Sequence, residues 1–152
     1  MSEPPNYMLD TGLVLHIVRG SAAFQAIDTI YQLTQSRFRP LICVVTRGEI
    51  RAIAYRRGWG EKKLRELDAL LDKLVYIDIS DPAVIEAYAR LSACATERGW
   101  ALHSQKNDLW IAAAAQVTGS VLLTMDHDFT SAHEDGLIKR VLFDHVTGAV
   151  VP

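Results

Sequence analysis

The sequence NDLWIAAAAQVTGSVLLTMD, residues 107–126, contains the clearest indication of the fold of this chain. Residues 108–117 form a small-residue segment typical of a buried helix, and Gly119 is the type of residue that ends one. Residues 121–124 then form a short apolar run typical of a buried strand. A helix that leads directly into a buried strand is the unit from which α/β proteins with parallel sheets are built.

The remainder of the chain repeats this alternation between short apolar runs and longer segments of helical periodicity. Besides residues 121–124, strands are predicted at residues 7–9, 41–45, 75–79 and 141–143. Helices are predicted from the N-cap Ser21 as far as Arg39 and Pro40, from Thr46 toward Arg57, over residues 61–74, and from Asp81 and Pro82 to near Gly99, with a loop at residues 100–106. We therefore predict an α/β fold, a three-layer α/β/α sandwich with a central parallel sheet.

Size and composition indicate one globular domain. With 152 residues, of which 49% are hydrophobic, the chain is long enough to bury an ordinary core, so we predict a single domain over residues 1–152. The net charge of -2 exerts no general attraction on nucleic acid or on an anionic membrane. A polyanionic partner would have to bind a local basic patch.

Membrane and export signals are not evident in the sequence. No window approaches the ~20 apolar residues that a membrane helix needs, and residues 1–7 lack the basic start and apolar run of a secretory signal. We expect a cytoplasmic protein with no membrane partner. Cys43 and Cys94 have neither metal-ligand spacing nor the density of a disulfide framework, so both are predicted to be buried free thiols.

Acidic residues stand at four apolar-flanked positions along the chain: Asp10, Glu49, Asp108 and Asp126. Asp10 and Asp126 lie just past predicted strands, whereas Glu49 and Asp108 lie near predicted helix starts. Right-handed crossovers place the carboxyl ends of parallel strands along one edge of the sheet. The four acids are therefore expected to meet in one cleft.

Each acid also has a structural explanation of its own. Asp10 fits a turn, and Glu49 fits a capping box with Thr46. Asp108 fits a helix N-terminus capped by Asn107, and the acids of the last motif fit a loop. One metal site explains all four positions together. Crowded carboxylates disfavour one another's ionisation, and a hard divalent cation, Mg²⁺ or Mn²⁺, relieves that repulsion.

Four short motifs occur in a distinctive order. They are Leu9-Asp10-Thr11 after the first strand, the pairing of Thr46 with Glu49, Asn107-Asp108 followed by Ile111-Ala112-Ala113, and Thr124-Met125-Asp126-His127-Asp128-Phe129. With these motifs in this order, the chain resembles a PIN-domain ribonuclease over nearly its whole length. Within that family it is most similar to the VapC-type toxins of bacterial toxin-antitoxin pairs.

The resemblance implies a fold, an activity and a set of residue roles. It implies a PIN-like, metal-dependent endoribonuclease that uses Mg²⁺ or Mn²⁺ to cleave RNA phosphodiester bonds, leaving a 3′-hydroxyl and a 5′-phosphate. The catalytic and metal-binding residues would be Asp10, Glu49, Asp108 and Asp126, with Thr11 and Thr124 as supporting hydroxyls. The implied partners are an RNA substrate, a cognate antitoxin protein and a second copy of the chain in a homodimer.

Two features of these motifs leave alternatives open. Asp126 and Asp128 are both candidates for the fourth metal ligand, and Asp126 is favoured because it lies two residues after the threonine that ends the strand. Gly12 stands where proteins of this type often carry a polar residue. Asp10-Thr11-Gly12 also matches the Asp-Thr-Gly motif of aspartic proteases, but the helical periodicity contradicts their mainly β fold.

A basic segment lies between Arg47 and Arg65, with seven basic residues against two acids. Tyr55 and Trp59 are interleaved, so the segment is suited to phosphates and an unpaired base, and equally to a solvated helix face. In the toxins that the chain resembles, this region also receives the antitoxin. The candidate RNA or partner contacts are Arg47, Arg51, Arg56, Arg57, Lys62 and Lys63.

Two other functions are compatible with the same motifs. One is a PIN-fold RNA-processing nuclease that is not a toxin, and the other is a catalytically inactive PIN-fold module that binds RNA or protein. The presence of all four acids argues against the inactive module, because an inactive site has no electrostatic reason to keep them crowded. His127, between two acids, is the histidine with a candidate general-base role.

Overall fold

A six-stranded sheet forms the centre of the computed structural model, which describes residues 5–35 and 39–152. Its strands are β1 (Tyr7–Leu9), β2 (Leu41–Cys43), β3 (Val75–Ile77), β4 (Val121–Thr124), β5 (Lys139–Phe143) and β6 (Val150–Val151). They lie in the order β3-β2-β1-β4-β5-β6, and every neighbouring pair is parallel except β5 with β6. The predicted α/β fold with a central parallel sheet is confirmed, with one antiparallel strand at its edge.

Seven helices of the described residues connect and cover these strands. They are α1 (Thr11–Arg19), α2 (Ala22–Tyr31), α3 (Val44–Arg56), α4 (Glu61–Leu71), α5 (Pro82–Arg98), α6 (Lys106–Thr118) and α7 (Thr130–Glu134). Short 3₁₀ turns occupy Ala101–Ser104 and His127–Phe129. Across the described parts of the chain, no helix combines the length and the apolar character that crossing a membrane requires.

Three local capping signals in the sequence are confirmed. Ser21 Oγ accepts a hydrogen bond from the backbone N–H of Phe24 at 3.1 Å, at the start of α2. Asp81 caps α5 in the same way, through a 2.8 Å hydrogen bond from the N–H of Ala83. Gly119 ends α6 with a left-handed φ of 62°. Glycine adopts this conformation without the steric penalty that a Cβ imposes.

The central strands β1 and β4 are buried on both faces, which produces the three layers. Met8 and Leu122 face the core formed with α5 and α6, whereas Leu9 and Leu123 face the core formed with α1 to α4. All four side chains are fully buried. Successive residues of a strand point to opposite faces, so neighbouring residues of β1 and β4 supply different cores. The α/β/α sandwich is therefore confirmed.

Two helices of the N-terminal half differ from the prediction. α1 begins directly after β1, where no helix is predicted, and its N-cap is Asp10. α2 ends at Tyr31, and Gln32 follows with a left-handed φ of 53°, whereas the helix is predicted as far as Arg39. Residues 36–38 of that prediction lie outside the described residues.

Other boundaries shift by a few residues. β2 ends at Cys43, so α3 begins at Val44 rather than at Thr46. α4 and β3 also end earlier than predicted. The predicted loop at residues 100–106 contains a 3₁₀ turn and the first residue of α6. α7 and β6 are not predicted. Cys43 and Cys94 are free thiols, as expected, but Cys94 is only partly buried, whereas both are predicted to be buried.

Candidate active site

Asp10 lies at the carboxyl end of β1, and both oxygens of its carboxylate accept hydrogen bonds. Oδ1 accepts from the backbone N–H of Thr11 at 2.7 Å, and Oδ2 accepts from the Thr124 hydroxyl at 2.7 Å. The residue is only 5% exposed. Asp10 is therefore a helix cap rather than the turn residue of the structural alternative, and β4 and α1 together fix its orientation.

Glu49 lies in the second turn of α3 and reaches the same hydroxyl network. Thr11 Oγ1 donates a hydrogen bond to Glu49 Oε1 at 2.7 Å and lies 3.2 Å from Thr46 Oγ1. A capping box between Thr46 and Glu49 is wrong, because α3 begins earlier, at Val44, and its N-cap Cys43 makes no side-chain cap hydrogen bond. Thr46 is fully buried and joins this network, a contact that its pairing with Glu49 in the sequence motif does not predict.

Asp108 lies in the first turn of α6, as predicted. Asn107 does not cap this helix, since the helix begins at Lys106 and its N-cap position is Gln105. Among residues 5–35 and 39–152, no group donates a hydrogen bond to the Asp108 carboxylate. A half-buried carboxylate without a hydrogen-bond donor needs solvent or a bound cation to compensate its charge.

Asp126 and Asp128 follow β4 in a single tight turn. The backbone N–H of Asp126 donates to Thr124 Oγ1 at 2.9 Å, and Asp126 Oδ1 accepts from the N–H of Asp128 at 2.8 Å. Carboxylate oxygens of Asp108, Asp126 and Asp128 all lie within 4.8 Å of one another. Thr124 therefore links the orientation of this turn to that of Asp10.

An open cleft of about 490 Å³ brings the four predicted acids together at the carboxyl edge of the sheet. It is lined by Asp10, Thr11, Gly12, Glu49, Asp108, Met125, Asp126 and His127. Thr124 is fully buried behind it. Asp128 does not line this cleft, but its carboxylate lies within 4.8 Å of those of Asp108 and Asp126, so Asp126 and Asp128 are both placed as candidate ligands.

Burial and crowding raise the pKa values of the acids in the cleft. Burial is the main cause that raises the pKa of Asp108 from 3.8 to about 7, followed by the negative charges of Asp10, Asp126, Glu49 and finally Asp128. Burial also raises the pKa of Asp10 to about 6, although the hydrogen bonds that it accepts oppose this rise. The pKa of Asp128 is raised by burial and then by Asp126. Oxygen ligands in this arrangement suit a hard divalent cation, whose charge would reverse these shifts.

The basic segment divides into paired and unpaired residues. Arg47 lies 3.7 Å from Asp68 and 3.4 Å from Asp72, and Arg51 contacts Asp68 at 3.0 Å. Lys63 Nζ lies 3.9 Å from the ring centroid of Trp59. Arg47 and Arg51 therefore join α3 to α4.

The other candidate contacts of the basic segment are Arg56, Arg57 and Lys62, and all three are exposed. Arg56 lines a hollow of about 420 Å³ that also includes Glu49. This hollow therefore adjoins the acid-lined cleft. Arg56 is the basic-segment residue that lines it.

The fold and the cleft define an α/β/α sandwich with converging carboxylates at the carboxyl edge of its parallel strands. The family model described as the PIN domain matches residues 7–134. This chain belongs to the PIN domain family, as its motifs suggest. A comparison with curated protein sequences finds no significant match.

Similar solved structures come from VapBC-type complexes. One is a structure of VapBC2 from Rickettsia felis bound to a DNA fragment from the VapBC2 promoter. Its matching chain is 18% identical to this one, with a TM-score of 0.71, and the match covers 88% of this chain and 96% of that chain. VapBC-5 from Mycobacterium tuberculosis, a member of the VapBC family of toxin-antitoxin systems, has 25% identity and a TM-score of 0.60, covering 91% and 98%. FitAcB from Neisseria gonorrhoeae has 20% identity and a TM-score of 0.63, covering 88% and 95%. The similarity to the VapC type that the motifs indicate thus extends to the fold.

Proposed function

We propose that this chain is a metal-dependent endoribonuclease and the toxin of a toxin-antitoxin pair. The observation that carries the proposal is the convergence of Asp10, Glu49, Asp108 and Asp126 on one cleft at the edge of a PIN fold. The proposal includes a single catalytic domain over residues 1–152, a cytoplasmic location and a homodimer.

The residues of the cleft fit a divalent metal ion, Mg²⁺ or Mn²⁺. The carboxylate oxygens of Asp108, Asp126 and Asp128 lie within 4.8 Å of one another, close enough to share one ion, and Asp10 and Glu49 line the same cleft. Asp10, Asp108 and Asp126 would be the principal ligands, with Glu49 completing the set and Asp128 as the neighbouring alternative. When bound, the ion supplies an activated water and stabilises the negative charge that develops on the phosphate.

The chain's own contribution is the fixed placement of the acids. The Thr124 hydroxyl donates a hydrogen bond to Asp10 Oδ2, and its oxygen accepts one from the backbone N–H of Asp126. This one hydroxyl therefore fixes the two acids relative to each other. Thr11 directs Glu49 toward the cleft. Preorganised ligands of this kind do not have to be reoriented at the moment of reaction, which favours the transition state.

Support for an antitoxin partner comes from the similar solved structures. Their chains belong to VapBC and FitAcB assemblies, and the matches cover most of each chain. The exposed Arg57 and Lys62, which lie outside the hollows around the cleft, are available to such a partner. We therefore propose that this chain has a cognate antitoxin protein as its partner.

Cleavage of total RNA in the presence of Mn²⁺ or Mg²⁺ tests the enzyme. We expect the wild-type protein to cut RNA and EDTA to stop the reaction. Asp10→Asn and Asp108→Asn should abolish cleavage, whereas Glu66→Gln, which changes an exposed acid of α4, should leave it unchanged. Equal activity in the wild type and both cleft variants would contradict the assignment of the site.

Expression in bacteria tests the toxin. Growth should stop when the wild-type chain is induced and continue when Asp108→Asn is induced. Co-expression with a small protein encoded beside it should restore growth, and the two proteins should co-purify. Normal growth during expression of an enzyme that is active on RNA would instead support the RNA-processing nuclease.

A further inference from the structure

A groove leads away from the acid-lined cleft, between α3 and the first turn of α6. Two further hollows of about 370 and 420 Å³ adjoin the cleft, and Glu49 lines all three. Asp108 is shared by the cleft and the first of these hollows, and Asn107 is shared by the two outer hollows. A ligand bound in the cleft therefore has neighbouring hollows into which it can extend.

One wall of the groove is a continuous face of α3. It consists of Val45, Gly48, Ala52, Ile53 and Arg56, together with the acid between them. Positions separated by three and four residues share a face of a helix, so these residues form a stripe that runs from the cleft toward the end of α3. Gly48 and Ala52 have little or no side chain, so this stripe leaves open space above it. A Cβ added to Gly48 would meet no heavy atom within 4 Å.

The opposite wall is polar and exposed. It consists of Ser104, Gln105, Lys106 and Asn107, which precede or begin α6. Hydroxyl, amide and ammonium groups are the donors that contact phosphate and sugar oxygens. This wall therefore offers hydrogen bonds, whereas the α3 wall offers an apolar surface near Val45 and Ile53.

Two cations of the groove have no acidic partner among the described residues. Neither Arg56 nor Lys106 forms an ion pair with any acid in residues 5–35 and 39–152, in contrast to Arg47 and Arg51. The acids of the cleft repel the phosphates that flank the one undergoing reaction. Cations at the outer hollows offset that repulsion at the places where those neighbouring phosphates would lie.

We propose that this groove binds the single-stranded RNA that flanks the scissile phosphate. Arg56 and Lys106 contact backbone phosphates, and the hollow over Gly48 receives an unpaired base against Val45 and Ile53. A base that is splayed out of a single strand reaches such a hollow, whereas bases paired inside a duplex do not. The inference rests on the proposed ribonuclease function and adds the path of its substrate.

Filling the hollow tests the path of the strand. Gly48→Leu places a side chain in open space on a helix where leucine is more favourable than glycine, so the melting temperature should equal or exceed that of the wild type. We expect at least about tenfold weaker binding of a fluorescein-labelled single-stranded RNA of mixed sequence, because the base loses its contact area. Gly48→Ala, the matched control, should bind like the wild type. Both variants should keep the Mn²⁺-induced rise in melting temperature, which shows an intact cleft.

Removing the two cations tests the phosphate contacts. Arg56→Ala and Lys106→Ala should each weaken RNA binding about fivefold and lower the slope of log K against log salt by about 0.7. The control is Arg90→Ala, which removes an exposed cation from α5. Binding is measured by fluorescence anisotropy in an Asp108→Asn background, so that the RNA stays uncut.

The outcomes separate this inference from the function on which it rests. If the wild-type protein cleaves RNA, and the Gly48→Leu, Arg56→Ala and Lys106→Ala variants bind it like the wild type, the groove is wrong and the ribonuclease stands. If the wild-type protein does not cleave RNA with Mn²⁺ present and the Asp108→Asn protein does not bind it, the ribonuclease proposal fails and the groove fails with it. Weaker binding by the groove variants in the Asp108→Asn background, with unchanged controls, supports the groove, and metal-dependent cleavage by the wild type supports the ribonuclease.

Discussion

Replacement of Asp108 by asparagine should stabilise the metal-free protein while it removes function. The Asp108 carboxylate is half-buried, lies near four other acids, and accepts no hydrogen bond from any residue in the described part of the chain. Its ionised form is therefore unfavourable in the folded state when no cation is bound. Asparagine has nearly the same shape and carries no charge.

The size of this effect follows from the pKa of Asp108. Burial and neighbouring acids raise this pKa from 3.8 to about 7, and each pKa unit corresponds to about 1.4 kcal/mol. Because the cleft is open to solvent, which screens the charge, we reduce the full value to about 2 kcal/mol. For a protein of this size, that difference raises the melting temperature by roughly 4–8 °C.

The pH dependence has a definite sign. A carboxyl group whose pKa is raised by folding stabilises the protein when protonated, and this contribution is lost as pH rises through the folded-state pKa of about 7. The advantage of Asp108→Asn over the wild type should thus be largest near pH 8 and shrink toward about pH 4.

Thermal unfolding after dialysis against EDTA measures this difference. Added Mn²⁺ should raise the melting temperature of the wild type strongly and that of Asp108→Asn weakly. The exposed Glu66→Gln should match the wild type throughout. A metal-free Asp108→Asn protein that melts at or below the wild-type temperature near pH 8 would refute the reasoning that crowded charge destabilises this cleft.

Three further predictions address the hydroxyl network, the C-terminal strand and the metal. Thr124→Val removes the hydroxyl that orients Asp10, so initial rates of RNA cleavage should fall about 10- to 100-fold. Thr124→Ser should retain most of the activity, and full activity of Thr124→Val would count against the network. Gly148→Ala places a Cβ against the backbone of Ala23 and should lower the free energy of unfolding by more than about 2 kcal/mol in urea titrations. Gly136→Ala has a similar φ and open space, so it should lose only about 1 kcal/mol, and equal losses would exclude the close approach. Mn²⁺ at a hundred times its Kd should stabilise the wild type by about 2.7 kcal/mol, reversibly with EDTA, and an unchanged melting temperature would contradict metal binding.

The layered fold is predictable because its central strands are buried on both faces. Such strands read as short apolar runs, and β1 and β4 have the bounds that the sequence predicts. Helix ends are equally readable where a side chain caps them, as Ser21 and Asp81 do. These signals are local, so they can be recognised in a single sequence without knowledge of tertiary contacts.

Helix α1 escapes prediction because its first residues have two roles. Asp10 ends the motif after β1 and also caps the helix, so no loop separates strand and helix. Leu13, Val14 and Ile17 do repeat with helical spacing, and this signal could have identified α1. β6 has two residues, too few for any periodicity, and it forms only because the preceding turn directs it back to β5.

The residues of the candidate site can be predicted from the sequence, but the hydrogen bonds and ion pairs that they form cannot. Parallel topology alone brings Asp10, Glu49, Asp108 and Asp126 to one edge. The spacing of Thr46 and Glu49 suits a capping box, and only the tertiary structure shows that the hydroxyl bound to Glu49 comes from a different helix. Similarly, the acids that neutralise part of the basic segment lie on the neighbouring helix α4 or just after it.

Diffraction from a crystal soaked in Mn²⁺, recorded near the manganese absorption edge, tests most directly whether the four acids form one metal site. We predict an anomalous peak within coordination distance of carboxylate oxygens from Asp10, Asp108 and Asp126, on the side of the cleft that Glu49 faces. The same soak of an Asp108→Asn crystal should show a weaker peak or none. A wild-type crystal with no peak in the cleft, or with manganese bound only elsewhere, would contradict the central claim.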